Sequence, residues 1–316
     1  MANAREISTR IKSIQDTMKI TKAMYMMSSM KLRKARQKLE NTEPYFYGLQ
    51  EQIADILLHF PNMEHLYFDN RRKDLKEKTK RRAFIVITGD KGMAGAYNHN
   101  VIKKVQEMID EADSYQLFVV GELGKHYFAS QGYELEETFC YSAHDPSIHR
   151  ARTITENIVE QYKNEEFDEV YVVFTRMVNS IREEVEVQEV LPFKPHQFIK
   201  EELLEKSQKG FGNTDQEAAM QADDWFLIYP SPREVLEKLV YNYVTGFIYG
   251  ALVEAYASEE NARMTAMQSA TNNAQEMLRE LSIEYNRVRQ AAITQEITEV
   301  IGGAKALRKK KKKQAR

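Results

Sequence analysis

Two stretches of this chain place apolar or small residues at alternating spacings of three and four, and they stand near its opposite ends. From Ile7 the series runs Ile7, Ile11, Ile14, Met18, Thr21, Tyr25, Ser28, Leu32, Ala35 and Leu39, with no glycine or proline before Pro44. A period of ~3.5 residues makes a helix supercoil against a partner. The second series is Met264, Met267, Thr271, Ala274, Leu278, Leu281, Tyr285, Val288 and Ala292. It belongs to a longer helical pattern that opens at "YPSPREVL", where Ser231 between Pro230 and Pro232 suits an N-cap. Nothing breaks that pattern until Gly302 and Gly303, where the helix is expected to stop, so it spans about 70 residues and ~105 Å. Together the series predict a long antiparallel two-helix coiled coil within one chain. Its small and polar seam members, Thr21, Ser28, Ala35, Thr271 and Ala274, let the helices approach closely at a cost in stability.

Between the helices the texture changes. "RRAFIVITGD", "SYQLFVVGE" and "DEVYVVFTR" are short β-branched and aromatic runs, each closed by glycine or polar residues. Helical stretches (101–112, 123–130 and 147–163) separate them, the alternation of a β-α-β fold with parallel strands. "REEVEVQEVLP" alternates valines with acids, as a half-exposed edge strand does. The organisation read from the sequence is α/β: an N-terminal coiled-coil helix at 1–60, a central Rossmann-like α/β domain at 82–192, a linker or insertion with a foot segment at 193–230, a C-terminal coiled-coil helix at 231–307 and a flexible basic tail at 308–316.

Composition supports a wet, partly extended protein. Charged residues make up 29% of the 316, high for a compact globule, and the net charge of -2 averages unlike parts. Up to Lys38 the chain carries ten Lys or Arg against only Glu6 and Asp16, and it finishes "ALRKKKKKQAR". No run approaches the ~20 apolar residues of a membrane span, and no signal-peptide core is visible. A single cysteine, Cys140, excludes an internal disulfide and reads as a small strand-borne hydrophobe.

The chemistry-bearing motifs are weak. "TGDKGMAGAYN" follows a strand and opens a helix, where a phosphate loop would sit. Its glycines at 89, 92 and 95 match neither the dinucleotide fingerprint nor the P-loop, and a tight strand-to-helix turn is the simpler reading. Scattered histidines give no metal-ligand spacing, and no nucleophile stands in a recognisable setting. No catalytic, cofactor-binding or metal residue is therefore nominated, and no cofactor is expected. The run Lys309 to Lys313 reads first as a solvated tail and second as a contact for an acidic surface. "KITKAMYMMSSMKLRKAR" holds Met24, Met26, Met27 and Met30 in seven positions, too many for one helical face. Some of them must lie outside the seam, against something else.

Three stretches carry a resemblance: "REISTRIKSIQDTMKITKAMYMMSSMKLRKA", "GDKGMAGAYNHN" and "ASEENARMTAMQSATNNAQEMLRELSIEYNRVRQAAITQEITEVIGGAKAL". In order and spacing they resemble the γ subunit of F-type ATP synthases, closely at both ends and more loosely in the centre. The resemblance implies a central rotor shaft: a non-catalytic subunit of a proton-transporting two-sector ATPase, with sodium as coupling ion in some relatives. It couples rotation of the membrane c ring to conformational change at three β catalytic sites. It implies as partners three α and three β subunits, ε and the c ring, no nucleic acid, and contact with the membrane only through the c ring. It also implies a peripheral position on the cytoplasmic side of a bacterial cell membrane. Carried over by position, Met24, Arg289, Gln290 and Thr294 would contact β. Ile293, Ile297, Val300 and Ile301 would lie in the apolar sleeve at the crown of the ring. Tyr229, Ser231 and Arg233 would belong to the foot near the c ring and ε, although Tyr229 stands where relatives often have an acid. Ala94 and Ala96 replace the family's frequent Cys and Gly, and no redox cysteine pair is present. Two other readings compete: a nucleotide-binding α/β enzyme with helical dimerisation arms, and a nucleic-acid-binding coil.

Overall fold

The structure is a computed structural model that describes residues 4–60, 63, 65–68, 80–136, 138–179, 182–194, 198 and 228–314, with side chains described as far as Lys305. Much of the expected linker at 193–230, including its "KGFGNT" stretch, lies outside the described residues.

Nine elements follow one another: α1 (Ala4–His59), β1 (Arg81–Ile87), α2 (Tyr97–Asp110), β2 (Ser114–Val120), α3 (Glu122–Ser130), α4 (Ile148–Lys163), β3 (Glu169–Met177), β4 (Glu183–Leu191) and α5 (Pro232–Gln314). They group into two compact units, residues 1–27 with 264–316, and residues 28–263. Both long helices contribute to both units.

In the first unit the heptad reading holds as far as Val288, whereas Ala292, the last predicted seam member, is exposed. Ile7 and Thr21 are buried, Ile11, Ile14 and Met18 half-buried, and the positions between them wet. On α5, Met267, Thr271 and Ala274 are buried, and Leu278, Leu281, Tyr285 and Val288 half-buried. The Thr21 and Thr271 hydroxyls hydrogen-bond each other at 2.8 Å across the seam. One hydroxyl must donate in that contact, and the other is then free to donate to its own helix, Thr21 to the Met18 carbonyl or Thr271 to that of Met267. With both groups satisfied, a polar seam pair carries no desolvation debt.

The second unit centres on a four-stranded sheet in the order β2-β1-β3-β4. β1 pairs in parallel with β2 and with β3, and β4 closes the edge antiparallel to β3. One face packs on α2 and α3 through Phe84, Val86, Val101, Val105, Ile109, Leu117, Val119 and Phe128. Ser147 caps α4, its hydroxyl accepting from the Arg150 amide. At the base of β1, Arg81 pairs with Asp168 and Arg82 with Glu169, fixing the strand start. The edge-strand reading of 183–191 and the β-α-β reading of the centre are both as expected.

Each long helix passes a residue type that often ends helices, and only the second case departs from the sequence reading. α1 runs through Pro44 to His59, because a proline withholds one amide but an amphipathic helix with buried Leu49, Ile53 and Ile56 beyond it still has a face to bury. α5 passes Gly302 and Gly303 and continues helical to Gln314, where a stop was expected. Glycine weakens a helix interior by ~1 kcal/mol but ends it only when the backbone turns left-handed. Neither glycine is among those with positive φ.

Candidate functional site

The candidate site is a surface rather than a pocket, and it starts where α5 loses its cover. From Arg289 to Lys305 every side chain is exposed. Arg289, Gln290 and Thr294 lie there, with the Thr294 hydroxyl turned back to the Gln290 carbonyl at 2.8 Å. So do Ile293, Ile297, Val300 and Ile301, with Val300 72% exposed. Their spacing of three and four lays them along one stripe of the helix. An isolated helix gains nothing from such a stripe, and four large apolar side chains left in water mark a contact surface.

On α1 the methionines divide as the sequence required. Met24 is half-buried, while Met26, Met27 and Met30 are exposed, Met30 by 74%. They lie among the cations Lys19, Lys22, Lys31 and Arg33. This combination makes a soft, adaptable apolar surface with a positive rim.

The foot residues open α5. Ser231 is its N-cap: the hydroxyl accepts from the Glu234 amide at 3.3 Å and donates to the Glu234 carboxylate at 3.1 Å, a Ser-x-x-Glu start in which the glutamate holds the capping hydroxyl. Arg233 is exposed, and Tyr229 is 88% exposed with its ring in water.

The second unit holds a cluster that the sequence reading missed. Glu259, Glu260 and Arg263 stand on successive turns of α5 and are almost wholly buried. Arg263 pairs with Glu259 and, at 2.8 Å, with Glu260, and Lys31 of α1 reaches Glu260 at 3.2 Å. Burial pushes the Glu259 carboxyl up against the opposing pull of Arg263. Glu183 and Glu254 are also raised by burial, eased by hydrogen bonds from Asn261 and the Met177 amide respectively. Gly89 sits against this cluster: a Cβ there would come within 2.8 Å of the Glu259 carboxylate. The first glycine of "GDKG" is therefore a clearance for a buried acid.

Asp90, the next residue, completes the account of that motif. Its carboxylate accepts from the Glu122 amide at the start of α3, from the amides of Ala143 and His144, and from the Ser142 hydroxyl. Burial works against its charge, but these hydrogen bonds together hold it below the usual carboxylate range. Asp90 thus caps α3, whereas α2, the helix that the motif opens, has no side-chain cap. Both Gly89 and Asp90 serve packing, and the glycine spacing of the motif matches neither phosphate fingerprint.

A further fit joins the two long helices within this unit. Gly246 lies under the ring of Phe46, so close that a Cβ would fall 1.4 Å from Cε1. The pairing of Gly246 with Phe46 has no periodic signature. Glu259, Glu260 and Arg263 do have one, since a charged run at spacings of three and four inside an apolar helix segment signals internal ion pairs.

Two long antiparallel helices with a narrow seam, a bare apolar end and an α/β domain define a stalk-type protein, built to be held by other chains. The sequence profile described as ATP synthase matches residues 3–307. The ATP synthase gamma chain of Ruminiclostridium cellulolyticum is 44% identical over 306 residues, 96% of this chain and 99% of that one. The sodium-ion-specific gamma chain of Acetobacterium woodii is 39% identical over 308 residues, 96% of this chain and 99% of that one. Among solved structures, a chain of the Euglena gracilis mitochondrial ATP synthase (OSCP/F1/c-ring, rotational state 3) superposes with a TM-score of 0.62 at 18% identity, covering 96% of this chain and 94% of that chain. A chain of the Tetrahymena thermophila central stalk and c-ring gives 0.55 at 21%, covering 79% and 99%. The chain belongs to the ATP synthase gamma family. It is a non-catalytic central-stalk subunit, and its role is that of the rotor.

Proposed function

We propose that the coil of this rotor works inside a ring of three α and three β subunits, that the residues around Tyr229 meet the c ring and ε, and that the subunit sits peripherally on the cytoplasmic side of a bacterial membrane. The observation that carries this reading is the stretch 289–305, helical and exposed on every side, with Ile293, Ile297, Val300 and Ile301 unpartnered in the chain alone. A surrounding apolar sleeve removes that surface from water, at about 25 cal/mol per Å² buried. Below it, Arg289, Gln290, Thr294 and Met24 contact β.

The mechanism follows from symmetry. A single asymmetric rod within a threefold ring touches three like subunits differently, and only differential contact shifts a site between conformations. The contacts must be shallow, because a deep well at one angle would stall rotation. Exposed methionines suit this, since they repack at low cost. The basic rim adds long-range attraction to acidic partner surfaces without fixing a register. The foot is the one place where position must not slip, and there the Ser231 N-cap, held by Glu234, fixes where α5 begins. Coupling to protons or to sodium lies with the c ring rather than with these residues.

The test is reconstitution. Co-expressed with its cognate α, β and ε, the chain is expected in fixed ratio in a complex that hydrolyses ATP, with no activity in the chain alone. Ile297→Asp with Val300→Asp is expected to abolish stable incorporation while leaving the fold of the chain intact by circular dichroism. Assembly at the wild-type level with both aspartates would overturn the sleeve assignment.

A further inference from the structure

The second unit contains a recess that rotation does not require. It measures about 160 Å³ and is walled by Lys31, Lys34 and Lys38 of α1, by His144, Asp145 and Pro146 before α4, and by Tyr256 of α5. Spacings of three and four put the three lysines on one face of α1. The opposite wall is rigid, because Asp90 grips the amides of Ala143 and His144 and the Ser142 hydroxyl. Arg150 holds the same turn from behind, donating to the carbonyls of Ser142 and His144.

The charges in this recess are unevenly matched. Lys31 is committed to the buried Glu260. Lys38 pairs with Asp145 at 2.7 Å and also donates to the Pro146 carbonyl. Among the described residues Lys34 makes no ion pair, so it is the surplus cation. The His144 imidazole lies 3.4 Å from the Lys31 ammonium and edge-on to Tyr256. Asp145 supplies the one anion. Its carboxylate is largely exposed, and its backbone takes φ 46°, the left-handed region that Asp and Asn adopt more readily than other L-residues. The turn thus places one anion among three lysines.

We propose that this recess is a binding site for a phosphate-class oxyanion, and that Asp145 is its tethered occupant, displaced when the ligand enters. The recess has room for an anion of that size, being more than ten times the ~10–15 Å³ that a single water requires. A phosphate would take Lys38 from Asp145, add Lys34, and find the Tyr256 hydroxyl as a neutral donor. Compact ammonium groups with several free donors bind such an anion without demanding one geometry. The concavity argues against a polypeptide ligand: its walls admit a few atoms, and a single carboxylate is what Asp145 already supplies. The inference does not depend on the sleeve or foot assignments.

The experiment is a titration of the full chain with inorganic phosphate at constant ionic strength, followed by calorimetry and phosphorus NMR, with a thermal melt on each variant. Saturable binding is expected. Lys34→Ala should weaken it about tenfold, as loss of one charge-assisted contact does. Lys34→Arg should retain it. Asp145→Asn should tighten it about threefold to tenfold, and asparagine tolerates the same backbone region. The proposal fails if a chain with a normal melt shows no saturable response, or if Lys34→Ala and Asp145→Asn both bind as the wild type does. It also fails if a glutamate-rich peptide binds this face while inorganic phosphate does not. Should Lys34→Ala melt early, the retention expected of Lys34→Arg and the tightening expected of Asp145→Asn still decide the matter.

Discussion

Along one helix, α5, two regions follow different rules. Between Ala251 and Asn261 every residue except Glu254 is buried, charged groups included. Between Met264 and Val288 only every third or fourth residue is covered, and Ser269, Asn272, Glu276 and Arg279 stand in water. A helix enclosed on all sides by its own domain is an anchor, whereas one covered along a single stripe is a rod with free faces. The anchor uses buried ion pairs, which are unforgiving once one partner is lost. The rod uses a seam of small, polar and half-buried side chains, which deforms at little cost. A subunit that must be gripped by its neighbours while holding its own domain firmly needs both.

The comparison breaks most sharply at Arg263. Arg263→Ala would strand Glu259 and Glu260, and removal of one partner from a buried pair costs about 3–5 kcal/mol. The loss should appear as faster hydrogen exchange in β3 and in residues 251–261, with residues 270–285 little changed. It should also depend on pH. Glu259 in the wild type is already raised by burial, so its stabilising share is full below the ordinary carboxylate range and is lost as pH rises through its folded pKa. Without Arg263 the rise is larger. The deficit should therefore be greatest at neutral and alkaline pH and shrink on acidification; a deficit independent of pH would remove Glu259 from the account.

Next in size is Gly246. Gly246→Ala puts a methyl group into the Phe46 ring, and overpacking of this kind costs about 1–3 kcal/mol. Phe46→Leu on that background should recover part of it. A urea midpoint that ignores the first change would show that the ring swings aside freely.

The legible and illegible parts of this protein divide along the same line. The seam was readable because a 3.5-residue period is a local property, visible in Ile7 to Leu39 before any partner is known. The strands were readable for the same reason, each being a short β-branched run between breakers. The capping role of Ser231 also lies in local sequence, whereas Ile293, Ile297, Val300 and Ile301 were singled out by the family resemblance alone. Apart from the locally spaced Glu259, Glu260 and Arg263, what escaped depends on contacts across long sequence separations. Gly89 reads only as a turn glycine until Glu259, 170 positions on, is seen to fill the space beside it. Asp90 looks like a turn residue until Ser142, Ala143 and His144 converge on it. The helix end was misjudged at Gly302 and Gly303 because glycine permits a stop without compelling one.

The seam offers a subtler test. Thr21→Val alone leaves the Thr271 hydroxyl with only its own helix as partner and should cost about 1 kcal/mol, while Thr21→Val with Thr271→Val replaces a polar pair by apolar groups of similar shape and should be close to neutral. The double-mutant cycle read by urea unfolding measures this coupling. Additive losses would mean that the 2.8 Å contact between the hydroxyls contributes nothing to the seam.

The smallest effect on the chain is expected at the methionines, and it is the most informative about function. Met26, Met27 and Met30 are more than half exposed, so replacing all three with glutamine, which keeps the length and flexibility of the side chain, should change the stability of the free subunit by no more than about 0.5 kcal/mol per site. If these side chains are surfaces for partner chains, the same triple variant should slow ATP turnover in the reconstituted complex, because an amide must be desolvated at each new contact angle whereas a thioether is not. The two readouts separate roles that the structure of the chain alone leaves joined: equal stability with slower turnover assigns the methionines to sliding contact, and equal values in both would move that contact elsewhere on α1.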